Sequence, residues 1–259
     1  MLPASPKLYS EFAKYYDRLE SQYRDYWKEA KWIETLLESS HSKRLIDVSC
    51  GTGSHLERLL KLQIERQYVG MDSSSQMVRI TCAKLDNLAP SREILRADFL
   101  KAPFQSGSFD SAICMYWSLA GLNPSQTKEL FREIGRILQP SGLFIFDVEN
   151  TEGIKENLLN SPFIDAFFSD DQTGSNIIRA NLSKKIEADL VDWHAYYLLE
   201  REGVSELIND EIKLRFYSKS DLESILGDTG FKVQRVSSSP GGAYQAGSPS
   251  LYFVAQKMN

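Results

Sequence analysis

From Arg44 onward the chain alternates short apolar runs with amphipathic ones, and this alternation restricts its fold more than any other feature. RLIDVS reads as a strand, HLERLLKLQ as a helix, QYVGMD as a strand and SSQMVRITCAKLDNL as a helix. EILRAD, FDSAICMYW and GLFIFDVEN read as three more strands, with the helix SQTKELFREIGRIL before the last of them. Strands that alternate with helices predict a mainly parallel sheet, covered on both faces and joined by right-handed crossovers. The fold expected is therefore α/β and doubly wound. A length of 259 residues suits one such domain with an inserted cap.

Both flanks of this region follow other rules. Between residues 8 and 40, Leu8, Phe12, Tyr15, Tyr16 and Leu19 recur at helical spacing, as do Trp32, Ile33, Leu36 and Leu37. That stretch reads as helices and ends at Ser39-Ser40. Residues 150–217 carry period-two patches instead: Ile186, Ala188 and Leu190 in one run, Ile212, Leu214 and Phe216 in another. Such alternation predicts antiparallel strands with one buried face. SKSDLESILGDTG then reads as a helix, with Ser218 or Ser220 near its start and Gly230 past its end. FKVQRVSS and SLYFVAQK are the last two strands. The division expected is 1–43, a helical lid; 44–149 with 218–259, the main sheet; and 150–217, an inserted antiparallel cap.

Charge bears on partners. There are 30 Lys and Arg against 35 Asp and Glu, a net charge of -5, with no basic run. Nucleic-acid surfaces need clustered cations, so no nucleic-acid partner is expected. Cys50, Cys82 and Cys114 are scattered and odd in number, which fits free thiols in a reducing cytoplasm. The start lacks the apolar core of a signal peptide, and no apolar stretch is long enough to span a bilayer. No His/Cys/Asp grouping has metal-ligand spacing, so no metal is expected.

The chemistry concentrates in LIDVSCGTGSHLERL. A buried strand runs into Asp47, then Ser49-Cys50-Gly51-Thr52-Gly53, then a helix. Glycines there let the backbone approach a ligand, and the helix N-terminus adds unpaired N–H groups. A dinucleotide site would carry a third Gly, but Leu56 stands in its place. The next strand ends in Gly70-Met71-Asp72, where a carboxylate can accept both hydroxyls of a ribose or simply cap the following helix. Ala97-Asp98-Phe99 follows strand three and offers an acid and an aromatic face for an adenine. Phe109-Asp110-Ser111-Ala112-Ile113-Cys114-Met115 ends strand four, and Leu138-Gln139-Pro140-Ser141-Gly142 turns into strand five.

In this order the five elements resemble the S-adenosylmethionine-dependent methyltransferases of the seven-stranded Rossmann-like kind, class I, small-molecule type. The likeness spans about residues 44–148 and resumes at YSKSDLESILGDTGFKV. It implies the strand order 3-2-1-4-5-7-6 with the last strand antiparallel. It implies S-adenosylmethionine as cofactor and S-adenosylhomocysteine as product. By motif position, Asp47, Ser49, Gly51 and Gly53 would surround the methionine part, with Cys50 beside them. Asp72 and Ser73 would hold the ribose, with Met77 nearby. Ala97, Asp98 and Phe99 would hold the adenine, and Met115 would lie beside the cofactor. The family usually has Gly where this chain has Ser49. If that position needs positive φ, the side chain carries a cost. The Tyr16-Asp17 pair resembles the start of the lid in small-molecule methyltransferases, so Tyr16 would touch cofactor or acceptor.

The acceptor side is less marked. His194 lies in the expected cap between Trp193 and Tyr196, and its ordinary pKa suits a general base. The same pattern fits better a histidine on a sheet face without catalytic role. Trp117, after strand four, would wall the acceptor pocket with Trp193 and Tyr196. Acidic balance and aromatic residues suggest a neutral or cationic acceptor methylated on N or O. Three other readings remain at this point: an NAD(P)-dependent oxidoreductase, a non-catalytic cofactor-binding protein, and a methyltransferase acting on a macromolecule, against whose nucleic-acid form stands the lack of an Asn-Pro-Pro-Tyr or Asp-Pro-Pro-Tyr motif at Met115-Tyr116-Trp117-Ser118. A monomer or homodimer is expected.

Overall fold

The computed structural model describes residues 6–88, 92–153, 162–170 and 174–259. Seven strands form the main sheet: β1 (Arg44–Val48), β2 (Gln67–Asp72), β3 (Arg92–Arg96), β4 (Phe109–Cys114), β5 (Leu138–Glu149), β10 (Phe231–Ser237) and β11 (Ser250–Lys257). Their spatial order is β10-β11-β5-β4-β1-β2-β3, which is the expected 3-2-1-4-5-7-6. β1 to β5 are parallel, and β11 runs antiparallel to β5 and β10.

Alternate residues of the central strands feed two apolar layers. Ile46, Val48, Ala112, Phe144 and Phe146 pack against α5 (Pro124–Ile137) and α6 (Lys219–Asp228). Leu45, Ile113, Leu143 and Ile145 face α2 (Tyr26–Ser39) and α3 (Ser54–Lys61). Local signals set the helix starts. Asn123 and Gln126 form a capping box with Pro124 in the first turn of α5. Ser218, of the two candidate serines, caps α6 through a box with Asp221. Gly230 follows that helix at a φ of 85°. Ser74 caps α4 (Ser75–Leu85).

Between β5 and α6 the chain builds a separate antiparallel sheet, in the order β6 (Phe163–Asp170), β7 (Ser175–Glu187), β8 (Leu190–Arg201), β9 (Val204–Arg215). One face lies on the N-terminal segment. Leu8, Phe12, Tyr15 and Leu19 pack there with Ala166, Ile177, Ala195 and Tyr197, and Phe12 stacks on Tyr197 at 4.0 Å.

Two sequence expectations need correction. The lid is less helical than its spacing suggests. Among its described residues only α1 (Tyr16–Glu20) and α2 are α-helices, and Lys7–Tyr9, Ala13–Tyr15 and Ser21–Tyr23 are single 3₁₀ turns. Their apolar residues follow the shape of the cap rather than one straight helical face. The run Ile186–Leu190 is not one strand either. Ala188 and Asp189 form the turn between β7 and β8, and Ile186 is exposed. Period two across a hairpin tip mimics a strand, because the two arms meet there.

Candidate functional site

The order in which successive strands are added to the sheet reverses between the parallel β1 and β4, so their C-terminal ends open a crevice where ligands of such sheets bind. Ser49–Gly53 lies at one rim and Met115–Trp117 at the other. Ser49, Gly51 and Gly53 all have positive φ, at 68°, 55° and 75°. For Ser49 the left-handed conformation costs about 1–2 kcal/mol relative to glycine. Gly53 cannot carry a side chain, because a Cβ there would come within 2.7 Å of Thr81. At Gly51 a Cβ would meet nothing within 4 Å. The turn is fixed from behind: Gly51 N–H donates to Asp72 Oδ2 at 2.9 Å, and Thr81 Oγ1 donates to the Gly51 carbonyl at 2.7 Å.

Asp47 and Asp72 are the carboxyl groups behind the Ser49–Gly53 turn. Asp72 also accepts from Ser74 N–H at 2.8 Å, so each oxygen holds one backbone bond and keeps a second lone pair. Asp47 is 1% exposed, and its Oδ2 has no hydrogen-bond partner. Burial pushes the Asp47 carboxyl up to about 7; His55 opposes the shift and Asp72 adds to it. A buried, unpartnered carboxylate oxygen is costly unless a ligand donor reaches it. A cationic amino group would satisfy it.

The other cofactor-side candidates line the same end of the sheet. Ala97 N–H donates to the Asp72 carbonyl at 3.0 Å, tying the tips of β2 and β3 together. Asp98 caps the turn at Phe99–Lys101 by accepting from Leu100 N–H, which leaves its other oxygen for a ligand. Ser73 is exposed, Phe99 half-buried and Met77 buried in the first turn of α4. Cys50 and Met115 are buried in the layer under the crevice. The N-terminal segment packs on this edge. Ser74 Oγ donates to the Tyr9 carbonyl at 2.6 Å. Asp17 accepts from Thr52 Oγ1 at 2.5 Å and pairs with Lys84 at 2.5 Å.

At the opposite rim Tyr116 and Trp117 both take left-handed conformations, at φ 65° and 56°. Consecutive bulky residues hold such angles only where the surroundings impose them. Asp147, fully buried in β5, does so by accepting from Tyr116 N–H at 2.6 Å and Trp117 N–H at 3.3 Å. Its other oxygen pairs with Arg24. The Arg24 guanidinium lies 4.7 Å from the Tyr116 ring centre and 5.0 Å from that of Trp117, and it pairs with Glu29 at 3.1 Å. Glu29 also holds His55 at 2.8 Å, so His55 is a buried structural partner. Tyr116 OH donates to Glu20 at 2.8 Å. Glu20 pairs with Arg179 of the cap, and Arg179 is gripped by both oxygens of Asp165. Trp193 faces this cluster, 6.0 Å from Arg179, and Tyr16 meets Tyr116 edge-on at 6.2 Å.

His194 and Tyr196 are not brought to this site. Along β8 the residues facing the lid are Val191, Trp193, Ala195 and Tyr197, so His194 and Tyr196 point outward. His194 pairs with Asp192 at 3.3 Å, and Glu211 stands opposite it on β9. These three could approach one metal ion, with ligand atoms within 4.8 Å of one another. The grouping arises across two paired strands, and sequence spacing does not reveal it. It lies on the face away from the crevice.

Several site groups escape a sequence reading. Arg24, Glu20 and Arg179 meet partners far along the chain. Glu149 sits at the tip of β5, two residues beyond Asp147 and on the same side of the strand. Burial and the Asp147 carboxylate push its carboxyl up to about 8, against the pull of Arg24. Asn181 is 1% exposed on the inward face of β7, with neither amide atom paired. A charged or amide residue within an otherwise apolar or alternating strand is the one signal that marks Asp147 and Asn181 in the sequence.

Residues 45–142 match the family described as Methyltransferase domain. A Bacillus subtilis protein named "Putative methyltransferase YqeM" is 27% identical over 96% of this chain and 97% of its own. An S-adenosylmethionine-dependent methyltransferase from Clostridium acetobutylicum superposes with a TM-score of 0.81 at 19% identity, covering 97% of this chain and 99% of that one. A sugar N-methyltransferase from a Streptoalloteichus species superposes at 0.77 and 19% identity, covering 100% and 96%.

Proposed function

Because this chain belongs to the class I S-adenosylmethionine-dependent methyltransferases and uses that cofactor, we propose that it methylates an amine or hydroxyl of a small, neutral or cationic molecule. The observation that carries this reading is the enclosure of the β4–β5 tips by lid and cap. Their walls are Tyr16, Tyr116, Trp117 and Trp193, and their carboxylates Glu20, Asp147, Glu149 and Asp165 outnumber Arg24 and Arg179. Both arginines are already paired, so the surplus charge is negative. Such a site favours a cation over an anion, and its enclosure by the N-terminal segment and the β6–β9 sheet favours a small acceptor. The sugar N-methyltransferase with the same architecture makes an amino sugar a sensible first acceptor to test.

In this reading residues 1–43 are the lid, 44–149 with 218–259 hold the cofactor, and 150–217 cap the acceptor. The free Asp47 oxygen and the open space at Gly51 fit the amino-acid end of S-adenosylmethionine, beside Ser49, Cys50 and Gly53. The spare lone pairs of Asp72 fit the ribose hydroxyls, flanked by Ser73 and Met77. Ala97, Asp98 and Phe99 would take the adenine, and Met115 would underlie the sulfur. The bound cofactor supplies a methyl group on a cationic sulfur, an electrophile that is already activated. The protein must align the acceptor and exclude water, and orientation alone is worth roughly 7–11 kcal/mol. Tyr16 and Asn181 orient the acceptor, and Trp117 covers it. Three free cysteines, two of them buried, suit a cytoplasmic setting. Among the described residues no helix is long and apolar enough to cross a membrane.

Glu149 replaces His194 as the base. It stands at the β5 tip, where an acceptor above Trp117 would sit, and its pKa near 8 matches removal of a proton from an ammonium. A base acts when ionised, so turnover should rise with pH through about 8. Glu149→Gln should lower kcat about 100-fold or more and flatten that rise. Assay of both proteins with labelled S-adenosylmethionine over a panel of amines and amino sugars tests this. Unchanged kcat and an unchanged pH profile in the variant would remove Glu149 from the mechanism. No product from any small acceptor would remove the small-molecule reading.

A further inference from the structure

The cap sheet carries apolar residues on both faces. Its inward face is buried by the lid. On its outward face Phe167, Ile178, Leu198 and Leu207 stand in register, one from each strand. Three of them are open to water: Phe167 at 73%, Leu207 at 69% and Leu198 at 38%. A neighbouring row runs through Ile164, Ala180 and Tyr196, with Ile164 68% exposed and Tyr196 38%. Antiparallel sheets that face water on one side alternate apolar inward and polar outward. This sheet breaks that rule over all four strands.

We propose that the outward face of the β6–β9 sheet is the interface with a second copy of this chain. Three observations point to that occupant. From these exposures the two rows open roughly 600 Å² of apolar surface. That is the top of the range for a monomer's largest patch and approaches the ~800 Å² that each partner buries in a stable complex. The patch has an interface's layout, an apolar and aromatic centre with a polar rim. The rim is also self-complementary. Glu200 lies on this face at one end of β8, while Lys184 and Lys213 flank Asp192 at the other end. A two-fold axis lying across the strands sets the copies head to tail, so the acidic end of one meets the lysine end of the other. Two twisted four-stranded sheets would then pack face to face as a sandwich.

The dimer braces each cap from outside while the lid packs it from inside. Light scattering coupled to gel filtration, on the intact chain of 29.5 kDa, tests the proposal. The wild type should elute at twice the chain mass, and Phe167→Glu and Leu207→Glu should each shift it to the single mass. Both substitutions lie at exposed sites outside the crevice, so S-adenosylmethionine titration should be unchanged and reports that the variants are folded. A wild type of single mass at tens of micromolar overturns the proposal. So does a dimer that survives both substitutions combined.

Discussion

Asp47→Asn is expected to weaken S-adenosylmethionine binding about 10- to 100-fold at pH 8, the worth of a charge-assisted hydrogen bond in a buried site. The same substitution should abolish the pH dependence of binding near neutrality. In the free protein burial holds the Asp47 carboxyl at about 7, so at lower pH it keeps its proton. The cofactor's cationic end prefers the carboxylate and drives that proton off. Affinity should therefore climb as pH rises towards 7 and level off above it. Calorimetric titration across pH 5–9, in two buffers of different ionisation heat, reads both affinity and released protons. A flat wild-type profile would show that Asp47 does not face the cation. Stability carries the opposite slope. An acid whose folded pKa is raised binds its proton more tightly when folded, so the free protein loses stability as pH rises from the ordinary carboxyl range through about 7. Asp47→Asn should escape that loss.

Asp147→Ala should be among the most damaging single substitutions for the fold, at about 3–5 kcal/mol. The Asp147 carboxylate and the Arg24 guanidinium are nearly shielded from water, with side-chain exposures of 0% and 3%. Removing one partner leaves a buried charge only partly compensated by Glu29. It also frees the N–H groups of Tyr116 and Trp117, which Asp147 holds in left-handed conformations. Thermal unfolding should fall by roughly 6–20 °C for a chain of this size. The cost belongs to the unpaired charge, so Arg24→Met combined with Asp147→Leu should recover part of it. A loss below 1 kcal/mol for Asp147→Ala would mean that Arg24 is satisfied elsewhere.

The cofactor side is legible in the sequence because it is local. LIDVSCGTGS carries strand, turn and helix start in consecutive residues. Asp72 and Asp98 follow at the tips of the next two strands, so their positions along the chain fix their positions at the sheet edge. Ser49 is a clear instance: the motif raised the question of positive φ there, and the backbone has it. The acceptor side depends on contacts between distant segments. Arg24 meets Asp147, and Glu20 meets Arg179 more than a hundred residues away. No periodicity announces such pairs. The assignment of His194 went astray on phase. In VDWHAYYLL both alternating sets hold aromatic or apolar residues, so the pattern cannot say which faces the lid. The outward set, with Tyr196 and Leu198, is apolar for a separate reason if a second copy covers it.

The measurement closest to the central claim is calorimetric titration of the wild type and of Asp72→Ala with S-adenosylmethionine and S-adenosylhomocysteine. The account predicts one site per chain in the wild type, and binding at least about 10-fold weaker when the ribose-facing carboxylate is gone. Equal binding by folded Asp72→Ala would contradict the site. No binding by folded wild type, together with saturable heat from NAD(P), would contradict the cofactor.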